Sequence, residues 1–436
     1  MHSSWKDQCL KSCIGFAPSN RAQLVTCVGP AKTAFLDTSR CTRFLAIPMQ
    51  AMRSNLYTEA VLPHSAPAAT DIDWYSFLER PRLPSPADDL LLQLRDASIL
   101  VTGAGGSIGS ALSTRLSKLC PRRLVLLDAS EQALYRLRLA PPAAGQTANP
   151  QCILGNIADA AHLNEIFAAH RPHFVFHAAA HKHVALLEEN PIEAVANNAL
   201  GTLTLTECAR KFGVKRIVLL STDKAVEPIS ILGASKRIAE LITLANDGVV
   251  LRLANVLGTE GSVVETFLRQ IAVSGPLAIT DPRAERYFLT LEEAVDLLLT
   301  SAITPRAGNL LAPHLERQHS IISLAEFLIA KYPHKARPKI AISGLRPGDK
   351  TAEALWSTDE QVAPDKGDGY FEVACQAIDH PLLQSDLISL QESVRDRDLF
   401  GTMQAVLSLV PSYKPGATIA ALLQQSHEAQ LGAVRR

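Results

Sequence analysis

From Ala97 onward, short apolar runs alternate with longer stretches that repeat apolar residues at i, i+3 and i+4. The runs SILVTG, RLVLLD, CILGN, FVFHAAA, RIVLLST and VVLRLAN have the length and branched-residue content of strands buried on both faces. Between them, GSALSTRLSKL, AHLNEIFAAH, IEAVANNALGTLTLTECARKF and SKRIAELITLAND carry the periodicity of half-buried helices. Repeated strand–helix alternation predicts an α/β fold, a doubly wound parallel sheet over residues 96–255. Beyond about Asn255 the alternation loosens and Pro and Gly punctuate more often. A smaller α/β lobe is expected over residues 256–380, partly interleaved with the sheet, with a strand in GPLAITDP and helices in RYFLTLEEAVDLLLTSAI and SLAEFLIAKY. A helical segment is expected over 381–436, and 57–95 reads as a linker with one short docking helix at DWYSFLER.

Composition narrows this picture. A length of 436 residues suits a two-lobed enzyme with a large core. Lys plus Arg and Asp plus Glu are equal at 43 each, so no global field favours nucleic acid or an anionic membrane. No apolar stretch reaches the roughly 18–20 residues that span a bilayer. Eight cysteines without a disulfide-like framework, and no evident secretory signal, predict reduced thiols in the cytoplasm. Residues 1–56 stand apart, being basic, poor in acids, and holding Cys9, Cys13, Cys27 and Cys41. That cysteine spacing matches no common zinc finger, so no metal site is expected. The stretch reads as a disordered extension, or as a start assigned too early, with Met49 or Met52 the true one.

Candidate chemistry begins at VTGAGGSIGS, where Gly103, Gly106 and Gly109 follow a predicted strand and, with Ser107 and Ile108, open a predicted helix. Glycines there let the backbone approach a pyrophosphate that faces the free N–H groups of the helix start. The next strand ends in Asp128, close to Ser130, where a carboxylate accepts the ribose hydroxyls of an adenosine and repels a 2′-phosphate. This predicts NAD rather than NADP. In GNIAD, Asn156 and Ile157 follow the third strand at the adenine end.

HAAAHKHV (177–184), ENPIEAVANNALGT (189–202), STDKAVEP (221–228), GASKR (233–237), NVLGTEGSV (255–263), ERYFLT (285–290) and GLRPGDK (344–350) then occur in a characteristic order. From about Asp71 to Pro415 the chain resembles the CapD-like nucleotide-sugar 4,6-dehydratases of bacterial polysaccharide biosynthesis, a branch of the extended short-chain dehydrogenases with an NAD-binding Rossmann fold. The resemblance implies hydride removal from C4 of a UDP-sugar, loss of water across C5 and C6, and return of the hydride to C6. UDP-N-acetylglucosamine is the expected substrate, and a homo-oligomer the expected assembly.

On matching positions, Thr222, Asp223, Lys224 and Lys236 are the expected catalytic residues. Asp223 and Lys224 stand side by side after a buried strand, as an elimination needing both acid and base requires. A partly desolvated Lys224 with a lowered pKa is expected as the base, and Asp223 as the acid. Ala178, Ala179 and Ala180 leave room for the nicotinamide ribose, which Lys236 is expected to bond. Lys182, His183, Asn255, Arg286, Arg346 and Asp349 fall at substrate positions. The sequence departs from the family at Leu232, where short-chain dehydrogenases carry Tyr and the long CapD-like members carry Met. His181, Ala185 and the segment 312–320 depart too. A UDP-sugar 4-epimerase and a catalytically silent nucleotide-sugar-binding protein remain the competing readings.

Overall fold

The structure, a computed structural model, describes residues 72–139, 150–303, 308–332, 337–364, 367–374 and 378–424. The basic stretch 1–56 and its four cysteines lie outside the described residues. Each of the six expected strands forms: β1 Ser98–Thr102, β2 Arg123–Asp128, β3 Gln151–Leu154, β4 Phe174–His177, β5 Arg216–Thr222 and β6 Val249–Leu253. They run parallel in the order β3-β2-β1-β4-β5-β6, so the direction of growth reverses between β1 and β4. Crevices for ligands open at the carboxyl ends of strands at such a reversal.

Alternate residues of these strands feed opposite faces, as the pleat requires. Ile99, Leu124 and Phe176 join a cluster with Leu94, Leu112 and Leu298. Leu100, Val125 and Val175 join one with Leu163, Phe167 and Leu205. Helices therefore cover both sides, and β1 is buried at every position.

The sheet does not stop at Asn255. β7 Leu310–Pro313 runs parallel to β6, β9 Tyr370–Ala374 lies antiparallel to β7, and β8 Gln361–Val362 closes the edge against β9. Three of the nine strands thus come from the smaller lobe.

The expected docking helix forms at Tyr75–Leu78, where Trp74, Phe77 and Leu78 bury against Phe267, Phe288 and Leu328. A second helix, Asp88–Arg95, occupies what reads in sequence as linker. Leu91 and Leu94 face the core from it, and Pro-rich flanks hide so short a periodic element. IEAVANNALGT is likewise not one regular helix. It runs as Pro191–Val195, a π-turn over Ala196–Leu200, then Gly201–Lys211. At the carboxyl end, His380–Arg395 and Leu399–Leu409 place Leu390, Met403 and Val406 against Ile238 and Leu232 of the Ile231–Ala245 helix. No helix among the described residues is long and apolar enough to cross a membrane.

Candidate active site

The glycine turn after β1 is built by close contact. Gly103 has φ of 66°, and a Cβ there would strike the Ala178–Ala179 backbone at the exit of β4. A Cβ on Gly109 would strike the Gly103 carbonyl. Both positions hold a backbone cradle that a side chain would fill, beside Ser107, where the helix Ser107–Lys118 begins with free N–H groups. Asp128 fastens this cradle, since its Oδ2 accepts from the Gly105 N–H and its Oδ1 from the Ser130 N–H, both at 2.8 Å. Ser107 Oγ accepts from the Glu260 N–H at 2.9 Å, while Gly106 caps the helix start and Ile108 packs on the core. Asn156 Oδ1 shapes its own turn by accepting from Ala158 N–H, and Ile157 is a buried core residue facing Gly201. Ala180 is exposed at the mouth of β4.

A compact charge cluster forms at the end of β5. Thr222 Oγ1 caps the single turn Asp223–Ala225 and donates to Asp223 Oδ1 at 2.9 Å. Asp223 is buried, and its Oδ2 has no hydrogen-bond donor. Lys224 Nζ, half-buried, donates to Asp223 Oδ1 at 2.9 Å and Asn255 Oδ1 at 3.3 Å, and lies 3.5 Å from Glu353 Oε1. Burial alone would push the Lys224 ammonium toward deprotonation, but the two carboxylates outweigh it and hold its pKa above the usual lysine range. The lowered pKa expected from sequence is thus reversed. Local sequence shows only the neighbour Asp223; Glu353 arrives from a distant segment.

Glu353 is the residue that sequence reasoning misses. It follows GLRPGDK by three positions and is buried. Its Oε2 lies 3.6 Å from Lys350 Nζ, which itself donates to the Val226 carbonyl at 2.7 Å. The i,i+3 spacing of Lys350 and Glu353 is the one signal the sequence offers.

Gly233 lets the Ile231–Ala245 helix press on this turn, since a Cβ there would collide with the Lys224 carbonyl. Ser230 caps the helix. Lys236 is buried, donates to the Leu220 carbonyl at 2.7 Å, and has its pKa pulled down to about 8 by burial, with Glu240 opposing. Leu232, one turn before, belongs to the apolar cluster beneath the C-terminal helices. Deeper still, His177 bridges Thr102 Oγ1 at 2.8 Å and Thr202 Oγ1 at 2.9 Å. Thr202 gives its own proton to the Asn198 carbonyl, so it accepts from His177 Nε2–H. Burial pushes its pKa down to about 3. Asn198, on the π-turn, accepts from the His181 N–H at 2.8 Å and donates to the His181 carbonyl at 3.1 Å, fixing the loop that carries Lys182 and His183.

The remaining expected residues fall into two groups. Asn255 joins the Lys224 cluster, and Arg286 adds an opposing charge to it. Arg286 spends its guanidinium on the carbonyls of Lys350 and Thr351, at 2.6 and 2.9 Å. Arg346 instead pairs with Asp349 at 2.9 Å and contributes positive charge at His183. Lys182 Nζ donates to the Glu260 carbonyl at 2.5 Å, and the His183 ring lies over Gly261. The divergent segment ends in His319–Ser320, paired antiparallel with Glu285–Arg286. No group of three or more His, Cys, Asp or Glu suited to a metal occurs among the described residues.

Known proteins are similar to this chain in sequence and in fold. The chain is 38% identical to the capsular polysaccharide biosynthesis protein CapD of Staphylococcus aureus over 277 residues, covering 62% of this chain and 46% of CapD. It is 29% identical to a UDP-N-acetylglucosamine 4,6-dehydratase (inverting) of Campylobacter jejuni, covering 64% and 82%. It is 32% identical to a UDP-glucose 4-epimerase of Rickettsia canadensis, covering 63% and 82%. The match spans about half the length of CapD and of the probable polysaccharide biosynthesis protein EpsC of Bacillus subtilis. Among solved structures, Pen from Bacillus thuringiensis superposes with a TM-score of 0.61 at 26% identity, over 66% of this chain and 89% of Pen. The dTDP-glucose 4,6-dehydratase DesIV of Streptomyces venezuelae shares the fold, with a TM-score of 0.51 at 21% identity, over 59% of this chain and 87% of DesIV. A family model described as polysaccharide biosynthesis protein matches residues 99–374, the stretch that builds both the sheet and the charge cluster, and the chain belongs to that family.

Proposed function

We propose that the chain is an NAD-dependent nucleotide-sugar 4,6-dehydratase acting on a UDP-N-acetylhexosamine, with UDP-N-acetylglucosamine the first candidate. The observation that carries this reading is Lys224 Nζ, set between the Asp223 and Glu353 carboxylates at the carboxyl end of β5. The cradle at Gly103 and Gly109, with a helix start beyond it and Asp128 beside it, fits a dinucleotide. A nicotinamide bound there would supply the reversible hydride acceptor that a C4-to-C6 transfer needs. The Asp128 carboxylate would repel a 2′-phosphate, which favours NAD.

The chain's own residues then have distinct tasks. Thr222 orients the C4 oxygen, and the depressed pKa of Lys236 favours loss of the C4 hydroxyl proton. In the resting cluster the proton sits on Lys224. Lys224 therefore protonates the departing C6 hydroxyl, and the Asp223 carboxylate receives the C5 proton, exchanges it with solvent and returns a proton to C5 as the hydride adds at C6, the reverse of the roles expected from sequence. Asn255 and Arg286, with the Arg346–Asp349 pair and the Lys182–His183 loop, line the nucleotide-sugar side. Leu232 in place of Tyr favours the branch that retains configuration at C5. A homo-oligomer would need a surface other than the Lys236 helix, because the C-terminal helices cover it.

An epimerase needs hydride transfer but no acid at C6, so the cluster at Lys224 would have no task in it. Substrate deuterated at C4 tests the choice. Mass spectrometry should find a product lighter by one water with the deuterium at C6. Deuterium retained at C4 in a sugar of inverted C4 configuration would overturn the reading.

A further inference from the structure

The expected elimination pair, Asp223 and Lys224, comes from one turn of the sheet domain. A third charged group reaches it from elsewhere in the chain. Glu353 Oε1 lies 3.5 Å from Lys224 Nζ, and Glu353 is 5% exposed. A buried carboxylate is costly unless it is paired, so its burial here needs a reason. Its Oε2 receives no hydrogen bond, and Lys350 Nζ at 3.6 Å is the other cation beside it. Glu353 therefore stands between two lysines, one at the charge cluster and one in the GLRPGDK loop that carries Arg346 and Asp349.

We propose that Glu353 is a positioning residue of the elimination: Asp223 and Asn255 accept the hydrogen bonds of Lys224, and the Glu353 carboxylate, paired with it by charge, holds that side chain in place as an ammonium, the acid that the departing hydroxyl needs. This rests on the dehydratase reading. Facing Lys224 are Asp223 from its own turn, Glu353 from the segment after the loop, Arg286 from the Glu285–Arg286 strand, and the neutral Asn255. Arg286 opposes the ammonium and the two carboxylates favour it, so removing one carboxylate lowers the pH at which Lys224 loses its proton. Through Lys350 and Arg286, which binds the carbonyls of Lys350 and Thr351, the same contact ties the charge cluster to the loop expected at the nucleotide.

The test is Glu353→Gln, which keeps shape and removes the charge, with Glu353→Asp as the conservative partner. Turnover of UDP-N-acetylglucosamine should fall about tenfold in Glu353→Gln at unchanged KM, and its high-pH limb should move down by about one pH unit. Glu353→Asp should recover part of both. Lys224 side-chain titration by NMR, assigned with Lys224→Arg on the full chain, reads the same effect without turnover. A wild-type chain that dehydrates nothing yet shows the Lys224 titration moving down in Glu353→Gln would sink the reaction and keep the pairing. An unmoved titration with an unmoved pH limb would overturn the proposal, and so would a loss of turnover explained by a lower Tm alone.

Discussion

Ser221 and Thr222 are neighbours on β5 whose hydroxyls serve opposite sides of the strand. Ser221 Oγ donates to Glu240 Oε1 at 2.6 Å behind the site, and Thr222 Oγ1 donates to Asp223 Oδ1 at 2.9 Å within it. Behind Ser221 the buried Arg252 grips Glu240 and Glu360, each through two nitrogen–oxygen bonds. It also donates to the Leu355 carbonyl at 3.1 Å, two residues beyond Glu353. One guanidinium thus braces the helix bearing Lys236, the strand before Asn255 and the segment bearing Glu353.

Arg252→Met should therefore be severely destabilising. It leaves the buried Glu240 and the half-buried Glu360 with the part-exposed Arg237 as their remaining arginine, a loss of about 3 kcal/mol that shows as a Tm several degrees lower. Burial alone would raise the Glu240 pKa, but Arg252 leads the contacts that hold it at about 2, against an ordinary 4.5. A depressed carboxyl pKa contributes stability that is fully present above about pH 4.5 and is lost as pH falls toward 2. Glu240→Gln should flatten that acid limb in urea titrations. An identical limb in the variant would mean that Glu240 is not ionised in the fold.

Lys224→Ala should lower turnover by about 10²–10⁴, the usual worth of a positioned acid or base. NAD binding should persist, because the glycine cradle and Asp128 lie apart from Lys224. Equilibrium binding by cofactor fluorescence, set beside turnover, checks both halves.

Asp128→Ala should weaken NAD binding by about 10- to 100-fold, the worth of one to two lost bonds to a charged group. The Gly105 N–H also loses its acceptor. Discrimination against NADP should shrink at the same time, which titration with the two cofactors measures.

Leu232→Met should change little. The side chain packs among Ile231, Ile238 and Met403, and a swap of similar volume costs less than about 1.5 kcal/mol. Turnover within about twofold of wild type fits a position with no proton to exchange, whereas a large change in the kcat–pH profile would give it a chemical part.

Much of the parallel sheet is legible because its strands are unbroken apolar runs, and the glycine turn because Gly103 and Gly109 have no room for a Cβ. The Asp88–Arg95 helix is not, since eight residues amid Pro and Ala give too little periodicity. The protonation of Lys224 is not legible either. It depends on Glu353, which the fold brings from beyond the GLRPGDK loop, and no local pattern records that meeting. The side chain of Ile157, beside the GNIAD motif, packs in the core, which the motif alone does not reveal.

The central claim is tested most directly by proton NMR of purified protein with UDP-N-acetylglucosamine in D₂O. Dehydration predicts a new C6 methyl signal, a 4-keto sugar, and deuterium entering C5 from solvent. An unchanged sugar, or a C4 epimer without a methyl signal, would contradict it.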